Sequence, residues 1–236
     1  MRITAGLGAR AIGHDLRAGR ARLGLLDAAP LIAAAGIALA DARLARTPEE
    51  VATIVTALGP PVALKIVSPQ IVHKTDVGGV ALGLASATAA AIAARAMLDR
   101  VKAARPDASL EGVLVQRMAP SEGIELLLGA VRDLQFGPVV MVGVGGIYVE
   151  ILDDVATRLA PLDHHEARRM LDELALAPAL AGARGRPAVD HDAVADAIVR
   201  LAALMAAVPE IAELEVNPLI ATPRGVMGID VRGVVT

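Results

Sequence analysis

Apolar residues recur along this chain in two rhythms, one of about 3.6 residues and one of two, and their alternation sets out the expected elements. Leu25, Leu26, Ala29, Leu31, Ile32 and Ala35 fall at helical spacing over 24–36, closed by Gly36. The segment RTPEEVATIVTALG (46–59) predicts a second helix. Thr47 can cap it, Pro48 suits the first turn, Glu49 and Glu50 complement the helix dipole, and Gly59 stops it. A third helix is expected over 86–106, from Ser86 to Pro106, and two more over 164–174 and 190–208. Short β-rich runs predict strands at 61–67, 79–85 and 112–118, then at 124–133, 138–146, 211–221 and 226–235. The last two are joined by the turn TPRG, and the Gly/Arg/Pro-rich stretch 177–190 reads as a surface loop. Pro120 and Gly123 break the chain between two strands and suit a hinge. Strands and helices in two blocks predict an α/β protein of two subdomains with a cleft between them.

Composition narrows this picture. Hydrophobic residues make up 55% of the 236 positions, yet Phe136 and Tyr148 are the only aromatics, so the core must be aliphatic. A mean hydropathy of +0.55 raises the question of a membrane. No stretch supplies the ~20 predominantly apolar residues of a spanning helix. The first 22 residues scatter Arg2, Arg10, Arg17, Arg20 and Arg22 without an apolar block, and read as a frayed tail rather than a leader. Absence of cysteine excludes disulfides, thiolate metal sites and a cysteine nucleophile, and fits a cytoplasmic protein. A net charge of −3, with no basic patch interleaved with aromatics, argues against nucleic acid as partner. The expectation is a cytoplasmic enzyme acting on small molecules, with neither nucleic acid nor membrane as partner.

Three stretches carry candidate chemistry. In KIVSPQIVHKTDVGGV (65–80), Lys65 can project an ammonium from a strand toward phosphate oxygens. The loop closed by Gly78 and Gly79 can present backbone N–H groups to the same anion. His73 supplies a nitrogen that can serve as nucleophile, proton carrier or phosphate ligand. The same charges also suit a solvated hairpin, and the stretch has no Walker-type order. In ELEVNPL, strand alternation puts Glu213, Glu215 and Asn217 on one face, with Asp230 across from them after a short turn. A carboxylate and an amide oxygen on paired strands suit Mg²⁺, although acidic residues also populate solvated hairpin faces. In VQRMAPSEGIELLLGAVRD, Gln116 and Glu125 would face the cleft; a charged inter-strand loop is the plainer reading. Gly143, Gly145 and Gly146 would let backbone approach a ligand or turn sharply. Met118, Met141 and Met227 read as core, His164 and His165 as the exposed start of a helix, and His14 and His191 as bland.

Taken together, ALKIVSPQIVHKTDVGGV, LVQRMAPSEGIELLLGAVRDLQFGPVVMVGVGGIYVEILDDVATRLAPL and ELEVNPLI resemble the ATP-grasp β subunit or domain of ADP-forming acyl-CoA synthetases, of the acetate–CoA ligase type and related to succinyl-CoA synthetase. The resemblance implies an ATP-grasp fold, two α/β subdomains with the nucleotide between them. It divides the chain into an extra, flexible segment 1–23, a smaller subdomain 24–118, and a larger subdomain 119–236 carrying the Mg²⁺ site. By the same resemblance Lys65 contacts nucleotide phosphates, and His73 to Gly79, with Lys74, Gly78 and Gly79, form the phosphate loop. Gln116 to Met118 hold adenine, Glu125 faces the ribose, and Asn217 and Asp230 ligate Mg²⁺, with Glu215 behind them. Arg132, Glu150 and Arg158 receive general cleft roles, and His73 is a second phosphohistidine. The implied reaction is acyl-CoA + phosphate + ADP ⇌ carboxylic acid + CoA + ATP. No CoA-binding or acyl-site segment is recognisable, so that chemistry and the first phosphohistidine fall to a CoA-binding α subunit, in a dimeric or α₂β₂ assembly. A non-catalytic nucleotide-binding regulatory module is the alternative, against which the intact Lys65, His73, Asn217 and Asp230 argue. A stand-alone ligase joining a carboxylate to an amine would need an acceptor site that the sequence does not reveal.

Overall fold

The computed structural model describes residues 22–71, 73–146, 154–183 and 185–236. The chain runs β1 (Arg22–Leu23), α1 (Leu25–Ala34), β2 (Ala42–Ala45), α2 (Pro48–Leu58), β3 (Val62–Val67), β4 (Val80–Leu84), α3 (Ala87–Ala104) and β5 (Gly112–Arg117). It continues with β6 (Ile124–Asp133), β7 (Gly137–Val144), β8 (Val155–Leu159), α4 (His164–Glu173), α5 (Ala177–Leu180), α6 (His191–Ala207), β9 (Ile211–Thr222), β10 (Gly225–Gly228) and β11 (Val231–Val235). Two compact units result, one from residues 40–119 and one from the residues before 40 together with 120–236.

The smaller unit is a four-stranded antiparallel sheet in the order β2-β5-β3-β4. Val62, Leu64 and Ile66 of β3 and Val113 and Val115 of β5 face α2 and α3, whose Val51, Val55, Ala90, Ala94, Met97 and Val101 complete an aliphatic core. The helix signals act as expected. Thr47 Oγ1 accepts from Glu50 N at 3.2 Å, Ser86 Oγ accepts from Ala89 N at 3.1 Å, and Gly59 ends α2 at φ 79°.

The larger unit is a seven-stranded antiparallel sheet in the order β1-β11-β9-β6-β7-β8, with β10 pairing β9 beside β11. Leu126, Leu128 and Ala130 of β6, Val140 and Val142 of β7, and Leu214 and Val216 of β9 are buried with the apolar stripes of α1, α4 and α6. Among the described residues no aromatic side chain is buried; Phe136 stands exposed on the β6–β7 turn. No helix among them is long and apolar enough to cross a membrane.

Several boundaries differ from expectation. Arg22 and Leu23 are not part of a loose segment but an edge strand paired with Val234 and Gly233, with Leu23 buried. Residues 1–21 lie outside the described residues. Helix α1 packs in the larger unit through Ala28, Leu31 and Ile32. Gly228 N donates to Ala38 O at 2.8 Å, and Leu39 bridges Gly228. The smaller unit therefore begins at 40, not 24. The expected strand 226–235 is two strands, and 177–190 opens with the one-turn α5, which buries Leu180. Strand β8 was not foreseen: its five residues at the sheet edge carry only a weak alternation. Met118, Met141 and Met227 are half-buried, and among the described residues the buried methionines are Met97, Met170 and Met205.

Candidate functional site

In the smaller unit, Lys65 lies on β3 opposite Val80 of β4 and Leu114 of β5, while Gln116 lies opposite Ala63. Strand alternation therefore puts Lys65 and Gln116 on one face of the sheet, the face turned away from α2 and α3. Gln116 is only 1% exposed, which suits a residue that orders a site more than one that meets open solvent. Met118 donates its N–H to Pro61 O at 3.2 Å, extending the β5–β3 pairing one step past the strand.

The loop after β3 forms a compact turn. His73 is exposed and Lys74 half-buried, and they lead into a single 3₁₀ turn at Thr75–Val77. Gly78 follows at φ 66°, a left-handed conformation costly for a side chain. Its N–H donates to Thr75 O at 3.0 Å, and Gly79 N–H donates to Lys74 O at 2.7 Å. Gly79 O accepts from Ile66 N at 2.8 Å, and the Arg100 guanidinium of α3 donates to Gly78 O at 3.1 Å. A Cβ on Gly79 would stand 2.6 Å from Ile66 Cγ2 and 2.9 Å from Lys74 O. The glycines thus close and pack the turn. Their N–H groups, expected to face an anion, are spent inside it.

In the larger unit, the segment NP of β9 interrupts the sheet. Val216 pairs with Leu128 and Leu219 with Leu126, so Asn217 and Pro218 together oppose Leu127 in a bulge. On the other side β10 pairs Leu219 and β11 pairs Val216, and Asn217 and Asp230 meet where one strand hands over to the other. Asn217 N donates to Asp230 O at 3.0 Å, and Ile229 N donates to Pro218 O at 2.9 Å. Glu213, Glu215 and Asn217 do share a face, opposite the buried Leu214 and Val216.

The Gly145–Gly146 turn lies against this seam. Gly145 N donates to Glu125 O at 2.9 Å, and Gly146 N donates to Asn217 Oδ1 at 3.1 Å. A Cβ on Gly146, at φ 67°, would collide with the Glu125 carboxylate, so Glu125 and Asn217 flank one glycine turn, and Asp230 is joined to Asn217 through the backbone. Asp230 is 18% exposed; its Oδ1 accepts from Val231 N at 3.0 Å, and Oδ2 lies 3.9 Å from Arg232 Nη2. The Asn217 amide oxygen and the Asp230 carboxylate, half-buried and each engaged by a backbone donor, are of the hard-oxygen type that could hold Mg²⁺, which takes one or two protein groups and completes its shell with water and phosphate oxygens. Among the described residues there is no cluster of three His, Cys, Asp or Glu side chains of the kind that cages an ion alone.

Two arginines have other work. Arg132 Nε donates to Ile211 O at 3.1 Å, and its Nη2 donates to Val208 O at 3.0 Å and to Met205 O, capping the C-terminal end of α6. Arg158 of β8 pairs with Glu166 at 3.2 Å and with Glu173, tying the edge strand to α4. A hollow of about 650 Å³ is lined by Arg158 and Glu166 of that pair with Val139, Thr157, Leu159 and Leu162, and contains none of Lys65, His73, Gln116, Glu125, Asn217 or Asp230. Glu150 and His14 lie outside the described residues. Arg100 was missed as a support of the loop, because a lone arginine on a helix carries no motif.

Residues 14–235 match the family described as ATP-grasp domain. The chain is 43% identical over 197 residues to acetate–CoA ligase [ADP-forming] I subunit beta of Pyrococcus furiosus, covering 84% of both proteins. It is 41% identical over 203 residues to acetate–CoA ligase [ADP-forming] I of Archaeoglobus fulgidus, of which it spans only 29%. Among solved structures it resembles the dinucleotide-forming acetyl-coenzyme A synthetase 1 of Ca. Korarchaeum cryptofilum, in complex with coenzyme A, Ca-AMPCP and HgCl+. The TM-score is 0.93 at 41% identity, covering 97% of this chain and all of that one. Another structure of that enzyme, with a TM-score of 0.86 and 38% identity over 97% of this chain and 99% of that one, holds coenzyme A and Mg-AMPPCP with its phosphohistidine segment pointing towards the nucleotide-binding site.

Proposed function

The chain belongs to the ATP-grasp domain family, and from that premise we propose that it is the nucleotide-binding β subunit of an ADP-forming acyl-CoA synthetase. What carries the reading is the seam at Asn217 and Asp230, an oxygen-donor pair beside Glu125, in a chain matching a β subunit along 84% of its length. The reaction is acyl-CoA + phosphate + ADP ⇌ carboxylic acid + CoA + ATP. The acyl and CoA steps belong to a CoA-binding α subunit with its own phosphohistidine; the Archaeoglobus relative, of which this chain spans 29%, is a single longer protein.

Each residue then has a definite task. A ring nitrogen of His73, exposed ahead of its turn, attacks the phosphorus of the partner's phosphohistidine. A new N–P bond forms on His73 as the partner's N–P bond breaks. A terminal oxygen of ADP next attacks the same phosphorus, the His73 N–P bond breaks, and ATP leaves with the imidazole restored. Lys65 and Lys74 draw charge from the phosphoryl oxygens, Gln116 and Met118 hold the base, and Glu125 accepts from the ribose. Gly78 and Gly79 serve by shaping the turn that carries His73 and Lys74. Asn217 and Asp230 would hold Mg²⁺, which when bound offsets the charge spread over the transferring group.

The test is reconstitution. Mixed with its CoA-binding subunit, the chain is expected to form ATP from acyl-CoA, phosphate and Mg·ADP, and His73→Ala to lower that rate by roughly a hundredfold or more. Wild-type turnover by the folded variant would overturn the relay through His73. No turnover and no calorimetric binding of Mg·ADP by the wild-type chain would overturn the whole reading.

A further inference from the structure

Asn217 is held twice. Its backbone N–H is fixed by Asp230 O at 3.0 Å, and its side-chain Oδ1 accepts from Gly146 N–H at 3.1 Å. The second bond depends on a turn with almost no freedom. Gly145 packs flat on β6, where a Cβ would stand 2.7 Å from Leu126 N and closer still to its carbonyl, and its own N–H is bound to Glu125 O. Gly146 then takes φ 67°, which aims its N–H at the seam. On its Cα side lies the Glu125 carboxylate, in the space a side chain would fill.

An amide can present oxygen or nitrogen, and only its neighbours decide which. A backbone N–H facing the amide selects the oxygen, because two donors cannot face each other. One lone pair of Oδ1 is then used by Gly146, and the second remains for a cation. We propose that Gly146 is a positioning residue for the divalent metal: its N–H orients the Asn217 amide so that Oδ1 is the atom offered, and its lack of a side chain keeps the Glu125 carboxylate in place. This rests on the reading of Asn217 and Asp230 as metal-holding groups. Partners that orient a ligand in this way typically change metal affinity by 10–100-fold when removed.

The experiment is calorimetry on the full chain with ADP, in EDTA and again with Mg²⁺. The ratio of the two dissociation constants is the gain due to metal, and it cancels whatever Glu125 contributes to the nucleotide alone. Gly146→Ala is expected to cut that gain by about tenfold while changing the EDTA affinity much less. Equal loss in both conditions marks a structural role and overturns the proposal, as does an undiminished gain in folded Gly146→Ala. Should Gly146→Ala not fold, the unmodified chain decides. Its Gly146 amide resonance is expected to move when Mg²⁺ is added to the ADP-saturated protein, and a stationary resonance overturns the proposal. A wild-type chain with no gain from Mg²⁺ defeats the metal reading itself, an outcome distinct from failure at Gly146 alone.

Discussion

Arg132 illustrates how a residue's task can be hidden from its neighbourhood in the chain. It occupies β6 with alternating aliphatic residues, yet its guanidinium gathers the carbonyls of Met205, Val208 and Ile211, 73 to 79 positions away. Helix C-termini leave carbonyls without intrahelical donors, and a cation there also meets the negative end of the dipole. Arg132→Ala is expected to destabilise the larger unit by about 2 kcal/mol, and Arg132→Lys to recover part of that, read from denaturant or thermal unfolding followed by circular dichroism. A change within about 0.5 kcal/mol would mean that water satisfies those carbonyls as well as arginine does. The sequence supports a cleft role for this arginine only by resemblance, since no local pattern points to acceptors so far along the chain. That Glu213, Glu215 and Asn217 share a face was legible because period-two alternation assigns a face without knowledge of the partner strand, whereas Asp230 lies between β10 and β11, off either strand. Arg100 and the engaged N–H groups of Gly78 and Gly79 were not, because they depend on how the loop folds back on itself.

At the scale of elements, helices announced themselves through caps, and Thr47 and Ser86 begin α2 and α3 as their side-chain chemistry requires. Strands were legible where apolar residues alternate and illegible where a seam or an edge intervenes. The run VMGIDVRGVV offers no breaker between Gly228 and Val231, so it reads as one strand. It divides because β9 changes partners at a bulge, a tertiary fact. Strand β8, short and at the edge, is joined to α4 by Arg158 with Glu173 and Glu166. The hydrogen bond from Arg158 holds the Glu173 carboxyl below its ordinary value of 4.5, with the charge of the guanidinium adding to the effect. A carboxyl lowered in this way stabilises the fold above its unfolded value, and that contribution fades as pH falls through the lower, folded one. Glu173→Gln is therefore expected to lower the melting temperature slightly at neutral pH, with the difference from wild type closing as pH drops below 4.5. Both side chains are partly solvated, so screening keeps the effect small, and high salt should diminish it further. A difference that widens in acid would rule this ion pair out as its source.

For the whole molecule, the order of the chain matters as much as its composition. The smaller unit is one uninterrupted stretch, 40–119, whereas the larger is assembled from residues on both sides of it. Its first strand pairs with its last, Arg22 with Val234 and Leu23 with Gly233, and α1 waits for a core supplied mainly by residues beyond 120. Contacts so distant in sequence close late. During synthesis from the N-terminus, the lysine-and-histidine unit has all its strands once residue 119 has left the ribosome, while the unit with the Asn217–Asp230 seam must wait for nearly the whole chain. Nascent chains arrested past residue 119 are accordingly expected to protect 40–119 from protease while 22–39 stays open to cleavage; simultaneous protection of both would contradict this order. A truncation that removes β11 would thus leave Arg22 and Leu23 unpaired, so β1 and β11, more than 200 positions apart, are inherited by the fold as one element.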